Sequence, residues 1–595
     1  MVIVLDTETT GLDPRADRLV LVGAAIDNGE PLVLRHDADR DLIQHVLDLD
    51  ARFCGHNLGF DMAFLQHAGY RIPNPARWTD TVLLAHVAGE RKPGQTRLAR
   101  LTRNLIDAGE LPADTLEPEH VLDAWLKNAR RAATKHGNVR PEKGHAPAHL
   151  LTPYLQADVR STRAVAGYYG RRLDGQAGIL ELERRCLPAI YTAEQRGVPV
   201  DLDAAVELRD RTAANVADLR ARVHDLAGGP FNLNSARQIE RALAARGADL
   251  SDVPRTEKAG LPMFTAQTLE LVDDPLARAL EAYRDEKKLH DYVANLYRHT
   301  HADRLYGTFK QVGTDTGRMS SASPNLQNIP KTDLRVRYVI RASEGKTLVA
   351  ADLDNVELRV LACYAPGGAL ARAFAAGVDL HQQTADAVGV ERDEGKRLNY
   401  AILYGAGVPR VASILGVDRD EAKEILDRWY HAYPEVARLK ARLARTITRR
   451  AARPSARDGY LVSILGRRHR FDQPNHLLLN RLISGSCADL FKRSLVALHN
   501  AGVPMILFVH DEVVCEVDEH DVDRVARLLE IELARGTSRA GVTIDGLVAE
   551  AKAAHRWSDF KEPGWTPEPV VTASRVTEPE SASEQLALGS EDDAA

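Results

Sequence analysis

Three apolar stretches of strand length in this chain run into carboxylates: Val2–Leu5 into Asp6 and Glu8, Leu348–Ala351 into Asp352, and Met505–Val509, through His510, into Asp511 and Glu512. Short apolar runs bounded by polar or turn residues read as buried strands, so each acid stands where a buried strand gives way to solvent. At such a place a hard cation can be held by oxygen ligands without burying an unpaired charge. A single acid after a strand is usually a solvated turn residue. The surrounding residues have to decide between the two.

Composition sets the frame. With 595 residues, 44% hydrophobic and 27% charged, the chain can bury several cores, and the expected number of domains is about three to five. Five cysteines, at 54, 186, 363, 487 and 515, form no CxxC pair, which argues against a disulfide framework or a structural zinc site. No basic leader, cleavable apolar segment or membrane-length run follows Met1, so the expectation is a cytoplasmic protein with no membrane association. The formal charge of −6 includes a net −7 in residues 562–595, which leaves the rest of the chain at +1. That balance alone does not mark a nucleic-acid binder.

Carboxylates at strand ends suit phosphoryl transfer, in which two divalent ions about 3.5 to 4 Å apart assist attack and steady the leaving group. The segment Asp352-Leu-Asp-Asn-Val-Glu-Leu-Arg and the segment Val509-His510-Asp511-Glu512 flank Arg392-xxx-Lys396-xxx-Tyr400-xxx-Tyr404-Gly405. Steps of four place those four side chains along one helical face. Two cations there can neutralise a triphosphate, and an aromatic ring one turn on can lie against a sugar and base. Together and in this order, the three segments resemble the polymerase motifs of the family A DNA polymerases. Further stretches extend the resemblance: Thr316-Gly317-Arg318, Pro324-Asn325-Leu-Gln327-Asn328, Asp379-Leu-His381, Phe231-Asn232-Leu-Asn234-Ser235 and Gly485-Ser-Cys-Ala-Asp489. The likeness covers nearly the whole chain to about residue 561.

The resemblance implies template-directed DNA synthesis from deoxynucleoside triphosphates. Asp352 and Asp511 would bind two Mg2+ ions, with Mn2+ able to substitute, and Glu512 would lie beside them. Arg392, Lys396 and His381 would hold the triphosphate, with Tyr400 and Tyr404 on the same helix face. Glu357 would lie against Tyr400 and crowd a 2′-hydroxyl, and Tyr at position 400 implies acceptance of dideoxynucleotides. Arg318, Asn325, Gln327, Asn328, Asn232, Asn234, Ser484 and His510 would meet primer-template DNA. Two departures stand out. Leu353 and Asp354 replace the family's frequent Tyr-Ser, and Asp352 and Asp354 share a strand face, so spacing leaves both open as the ligand; the register to Glu357 and Arg359 favours Asp352. Ser484 stands where the family commonly has a glutamine that reads the minor groove.

Asp6-Thr-Glu8 puts two carboxylates on one strand face. With Asn57-xxx-Asp61 and Tyr154-xxx-Asp158 it resembles the three motifs of the DnaQ-like 3′→5′ exonucleases. That resemblance implies that Asp6, Glu8, Asp61 and Asp158 hold a metal pair while Tyr154 positions the attacking water. In this reading the chain is an α/β and α+β multidomain protein. A ribonuclease H-like exonuclease domain spans 1–170, followed by a right-hand polymerase: connector and thumb 171–310, palm 311–365, fingers 366–458, palm again 459–561, and a disordered acidic tail 562–595.

The basic stretch from Arg438 to Arg457 and the segment Gly466-Arg467-Arg468-His469-Arg470 are expected to meet template phosphates. In the tail, Gln585-Leu586-Ala-Leu588 resembles the peptides by which bacterial polymerases bind a sliding clamp, which would make a clamp a partner through a flexible tether. The expected state is a monomer. With no segment ahead of the exonuclease motifs, a 5′ nuclease is not expected, and a phage-type replicative role is favoured over gap-filling repair. An exonuclease carrying a catalytically dead polymerase-like body would have lost Asp352, Asp511 or Lys396, and all three are present.

Overall fold

The computed structural model describes residues 1–91, 94–136, 138–256, 259–330, 333–452 and 459–567. The tail residues Gln585, Leu586 and Leu588, and the basic residues Arg453 and Arg457, lie outside them. The described chain divides into two compact units. One comprises Met1–Val198, Tyr306–Asn328 and Ser343–Ala554, the other Pro199–Leu305, Ile329–Ala342 and the chain from His555 on.

In the larger unit the strand Val2–Thr9 lies at the centre of a five-stranded sheet. Leu19–Ile26 and then Leu32–Arg35 run antiparallel on one side, and Arg52–Gly55 and then Trp78–Asp80 run parallel on the other. Its alternation sorts the side chains. Ile3 and Leu5 point into a core shared with Met62 and Phe64 of the helix Leu58–His67, while Val4 points into a core with Tyr154, Leu155 and Val159 of the helix Ala148–Gly170. Asp6 and Glu8 continue the Val4 face and Thr7 the opposite one. Gly23, paired with Asp6 across the sheet, lets the second helix come close, because a Cβ there would meet Leu155 and Val159 at 2.9 Å.

The same unit holds a four-stranded antiparallel sheet in the order Met505–Val509, Glu512–Asp518, Lys346–Leu353, Ala549–Ala554. The expected strand-to-helix and strand-turn-strand segments are both there. Lys346–Leu353 leads into the helix Val356–Tyr364, and a two-residue turn at His510 and Asp511 joins the hairpin, with His510 in the left-handed region at φ 58. The helices Leu380–Val388, Arg392–Leu403 and Arg419–Ala432 pack around Trp429, whose indole N–H donates to Asn399 Oδ1 at 2.8 Å.

One expectation fails here. Arg467 and His469 do not face outward toward a phosphate backbone; both are buried. Arg467 sits between Asp489 at 2.6 Å and Glu183 at 2.5 Å, and Lys492 reaches Glu183 at 2.7 Å. Two cations against two carboxylates nearly balance, so the charges can be buried together where one alone could not. The ion group ties the helix Ala177–Arg196 to the helix Leu478–Asn500. Arg468 and Arg470 are also taken, both pairing with Asp174. By contrast, the helix Pro434–Ala451 buries Val436, Leu439, Leu443 and Ile447 and sets its arginines on the other faces.

In the smaller unit the helices Leu202–Leu226 and Pro275–Arg298 run antiparallel. Thr212 bonds His290 and Asn215 bonds Glu286, so the numbering falls on one helix as it rises on the other. At one end Val223, Leu233, Ile239, Leu243, Leu276 and Leu280 form a core, beside which Asn232 accepts from the Asn234 amide at 3.0 Å.

Candidate active sites

The first acid cluster follows from the sheet alternation. Asp6 and Glu8 meet Asp158 of the helix Ala148–Gly170, and ligand oxygens of all three lie within 4.8 Å of one another, the only such trio among the described residues. Asp61 approaches from the other face, where its Oδ1 accepts from Thr7 Oγ1 at 2.7 Å. It stands beside the trio rather than within it, near enough for its charge to act on Asp6. Tyr154, one turn before Asp158, receives a hydrogen bond from Lys143 Nζ at 2.6 Å. The pattern of acids gave no sign of Lys143. It is delivered by a short turn, Lys143–His145, packed so tightly on the first strand that a Cβ on Gly144 would meet the Thr9 carbonyl at 2.3 Å.

Burial raises every acid here, and for Asp6 and Glu8 the charges of the neighbouring acids add to it. Glu8 is pushed up to about 8, first by burial and then by the charge of Asp158, with Lys143 pulling the other way. Asp6 is raised by burial and by Asp61, Asp158 and Glu8, and Asp158 by burial against the hydrogen bond from Tyr154. Buried carboxylates with one lysine among them form a donor set suited to a hard divalent cation, which would remove the repulsion. A prediction follows for the metal-free protein. A carboxyl whose folded pKa is raised contributes stability that is complete below its unfolded pKa and lost as pH rises through the folded one. For Glu8 that window runs from the ordinary glutamate range up to about 8. Scanning calorimetry in chelator should therefore show the unfolding temperature falling between pH 5 and pH 8.5. Millimolar Mg2+ or Mn2+ should restore it most at the alkaline end, and indifference to metal at pH 8 would contradict the assignment.

The second cluster lies on the four-stranded sheet. Asp352 is paired in register with Glu512, the first residue after the turn that carries Asp511. Asp352 and Asp354 differ in their surroundings. Asp354 is engaged by Arg359 at 2.8 Å and by the Asn355 side chain at 2.7 Å. Asp352 lies between Glu512 and Glu550 on the two neighbouring strands.

Lys396 and Arg392 are exposed on the helix Arg392–Leu403, with Arg392 Nε donating to Asp379 at 2.8 Å. Asn355, which the motif reading passed over, connects this helix to the strand end. It adopts the left-handed conformation, φ 48, that asparagine tolerates, and its Oδ1 accepts from His381 Nε2 at 3.1 Å and Tyr400 Oη at 3.3 Å. His381 is held below the usual histidine range by burial and by the nearby Lys396 charge.

Glu357 accepts a hydrogen bond from Tyr404 at 2.7 Å and lies close enough to Tyr400 for its charge to act on that ring. Arg318 and Ser484 each donate to its other oxygen at 2.7 Å. Ser484 is thus turned inward and buried, while His510 is exposed on the turn. Asn325 accepts from the Gln327 amide at 3.1 Å in the short helix Leu326–Asn328. No helix among the described residues is long and apolar enough to cross a membrane.

Comparison with known proteins agrees with this geometry. Over 540 residues the chain is 33% identical to the thermostable DNA polymerase I of Thermus aquaticus, covering 82% of this chain and 62% of that one. It is 30% identical over 579 residues to DNA polymerase I of Chloroflexus aurantiacus, covering 88% and 58%. It therefore spans about three fifths of the length of these relatives. A solved structure, the POL domain of Pol1 from M. smegmatis in complex with DNA primer-template and dNTP, shares the fold with a TM-score of 0.72 at 21% identity, over 93% of this chain and 95% of that one. Residues 203–559 match the sequence profile of DNA polymerase family A, and that span contains Asp352, Asp511, Glu512 and the helix Arg392–Leu403. The chain belongs to DNA polymerase family A.

Proposed function

We propose that this chain synthesises DNA on a template from deoxynucleoside triphosphates and removes nucleotides from the 3′ end at a second site, a proofreading polymerase of the phage-type replicative kind. The observation that carries the reading is the pairing of Asp352 with Glu512 beside the Asp511 turn, next to the helix of Arg392 and Lys396, whose Tyr400 bonds Asn355 and whose C-cap Tyr404 bonds Glu357. The four-stranded sheet then acts as palm, the helices around Trp429 as fingers, and the antiparallel helix pair of the smaller unit as thumb.

Family A DNA polymerases use divalent ions, generally Mg2+, and Asp352 and Asp511 would hold them here. Bound ions would activate the attacking oxygen and spread the charge of the leaving group. The chain's own side chains do the rest. Lys396 and Arg392 draw in the triphosphate, Arg392 exchanging its exposed pairing with Asp379 for phosphate oxygens. Tyr400, steadied by Asn355, lies against sugar and base. Glu357 closes the space beside the sugar 2′ position. At the first cluster Asp6, Glu8 and Asp158, with Asp61 next to them, would hold the ions for hydrolysis. Tyr154 would orient water, with its oxygen fixed by Lys143.

The test is one end-labelled primer-template with Mg2+. Extension with deoxynucleotides and stepwise 3′ shortening without them are expected. A protein that does neither overturns the reading, and one that only shortens restricts it to the first cluster.

A further inference from the structure

The glutamate at the centre of the second site is held more firmly than its neighbours on the helix face require. Glu357 is 4% exposed and sits in the first turn of the helix Val356–Tyr364. Three elements distant in sequence each place one donor on it. Arg318 and Ser484 share one carboxylate oxygen and Tyr404 takes the other, all at 2.7 Å. Ser484 is 1% exposed and belongs to the helix Leu478–Asn500, where Asn480 Nδ2 donates to its hydroxyl at 3.3 Å and so favours a hydroxyl proton directed at Glu357.

The donors differ in kind. Arg318 and Tyr404 carry long side chains that are partly exposed and can turn toward a bound substrate. Ser484 has a single side-chain torsion and is anchored in a buried helix. Of the three donors it is the buried one.

We infer that Ser484 is a positioning residue for sugar selection: its hydroxyl holds the Glu357 carboxylate in the place where a ribose 2′-hydroxyl would have to fit. The inference rests on the proposed reading, in which Glu357 borders the sugar. A hydrogen bond to a buried charge fixes one orientation of a carboxylate that otherwise swings about its terminal torsions. Without it, Glu357 can yield to an added hydroxyl by following Arg318 or Tyr404. The serine thereby ties substrate choice to a helix that need not touch the substrate.

The experiment measures kcat/KM for a deoxynucleotide and for the ribonucleotide of the same base in four full-length proteins: wild type, Ser484→Ala, Ser484→Thr and Glu357→Ala. The ratio of the two constants is the readout, because a loss of folded protein lowers both and leaves the ratio alone. Ser484→Ala is expected to lower the ratio about tenfold, the scale of one charge-assisted hydrogen bond. Ser484→Thr, which keeps the hydroxyl, is expected to restore most of it. If Glu357→Ala lowers the ratio and Ser484→Ala does not, the inference is overturned and the reading of Glu357 stands. If Glu357→Ala leaves the ratio unchanged, the placement of Glu357 at the sugar fails and the inference fails with it.

Discussion

Replacing Asp352 by alanine is expected to slow primer extension by about a thousandfold or more, because a metal ligand in two-ion phosphoryl transfer supplies several kcal/mol of transition-state stabilisation and each 1.36 kcal/mol is tenfold in rate. Stability should change little, since Asp352 is an exposed residue on a strand whose neighbours are buried. The informative partner is Asp354→Ala. The two acids are close in sequence, but the strand ends at Leu353 and Asp354 beyond it is engaged by Arg359 and Asn355, whereas Asp352 is in register with Glu512. Asp354→Ala should lose a surface ion pair, worth at most about 1 kcal/mol, and retain extension. Steady-state extension rates separate the two. An inactive Asp354 variant beside an active Asp352 variant would reverse the assignment.

The double replacement Asp6→Ala, Glu8→Ala should abolish 3′ shortening by a comparable factor while extension persists. Here the physics makes a second, less ordinary demand. Both carboxyls are raised by burial and by the charges around them, so above pH 8 the metal-free protein carries repulsion that the replacement removes. The variant should lose its nuclease activity and yet unfold at an equal or higher temperature than wild type in chelator, a trade of stability for function at a charged site. Release of labelled 3′ nucleotides measures the first effect and calorimetry the second. Retained shortening would remove Asp6 and Glu8 from the chemistry.

Much of this was legible from residue order because it depends on short-range periodicity. The strand Lys346–Leu353, the hairpin at 505–518 and the helix Arg392–Leu403 each follow from patterns within about twenty residues. The same alternation that unites Asp6 with Glu8 also explains why Asp61 meets Thr7 instead.

What sequence did not reveal were pairings across long separations. Arg467 looked like a phosphate contact because it lies in a run of basic residues. Its burial depends on Glu183, which is 284 residues away. Ser484 looked like a lost DNA contact because its partner Glu357, 127 residues earlier, has no local signature. Lys143 and Asn355 were passed over for a related reason. Each is placed by a backbone conformation, a tight turn against Thr9 or a left-handed residue at a helix start, and no residue type announces the contact that results.

The central claim is that one chain carries two separable carboxylate sites with opposed effects on the same 3′ end. Its most direct test is a single labelled primer-template with Mg2+, followed over time with and without deoxynucleotides, for wild type, Asp352→Ala and the Asp6→Ala, Glu8→Ala double variant. Wild type is expected to lengthen and shorten the primer, the first variant only to shorten it, and the second only to lengthen it. A variant that loses both activities while remaining folded, or that keeps the one it should lose, would contradict it.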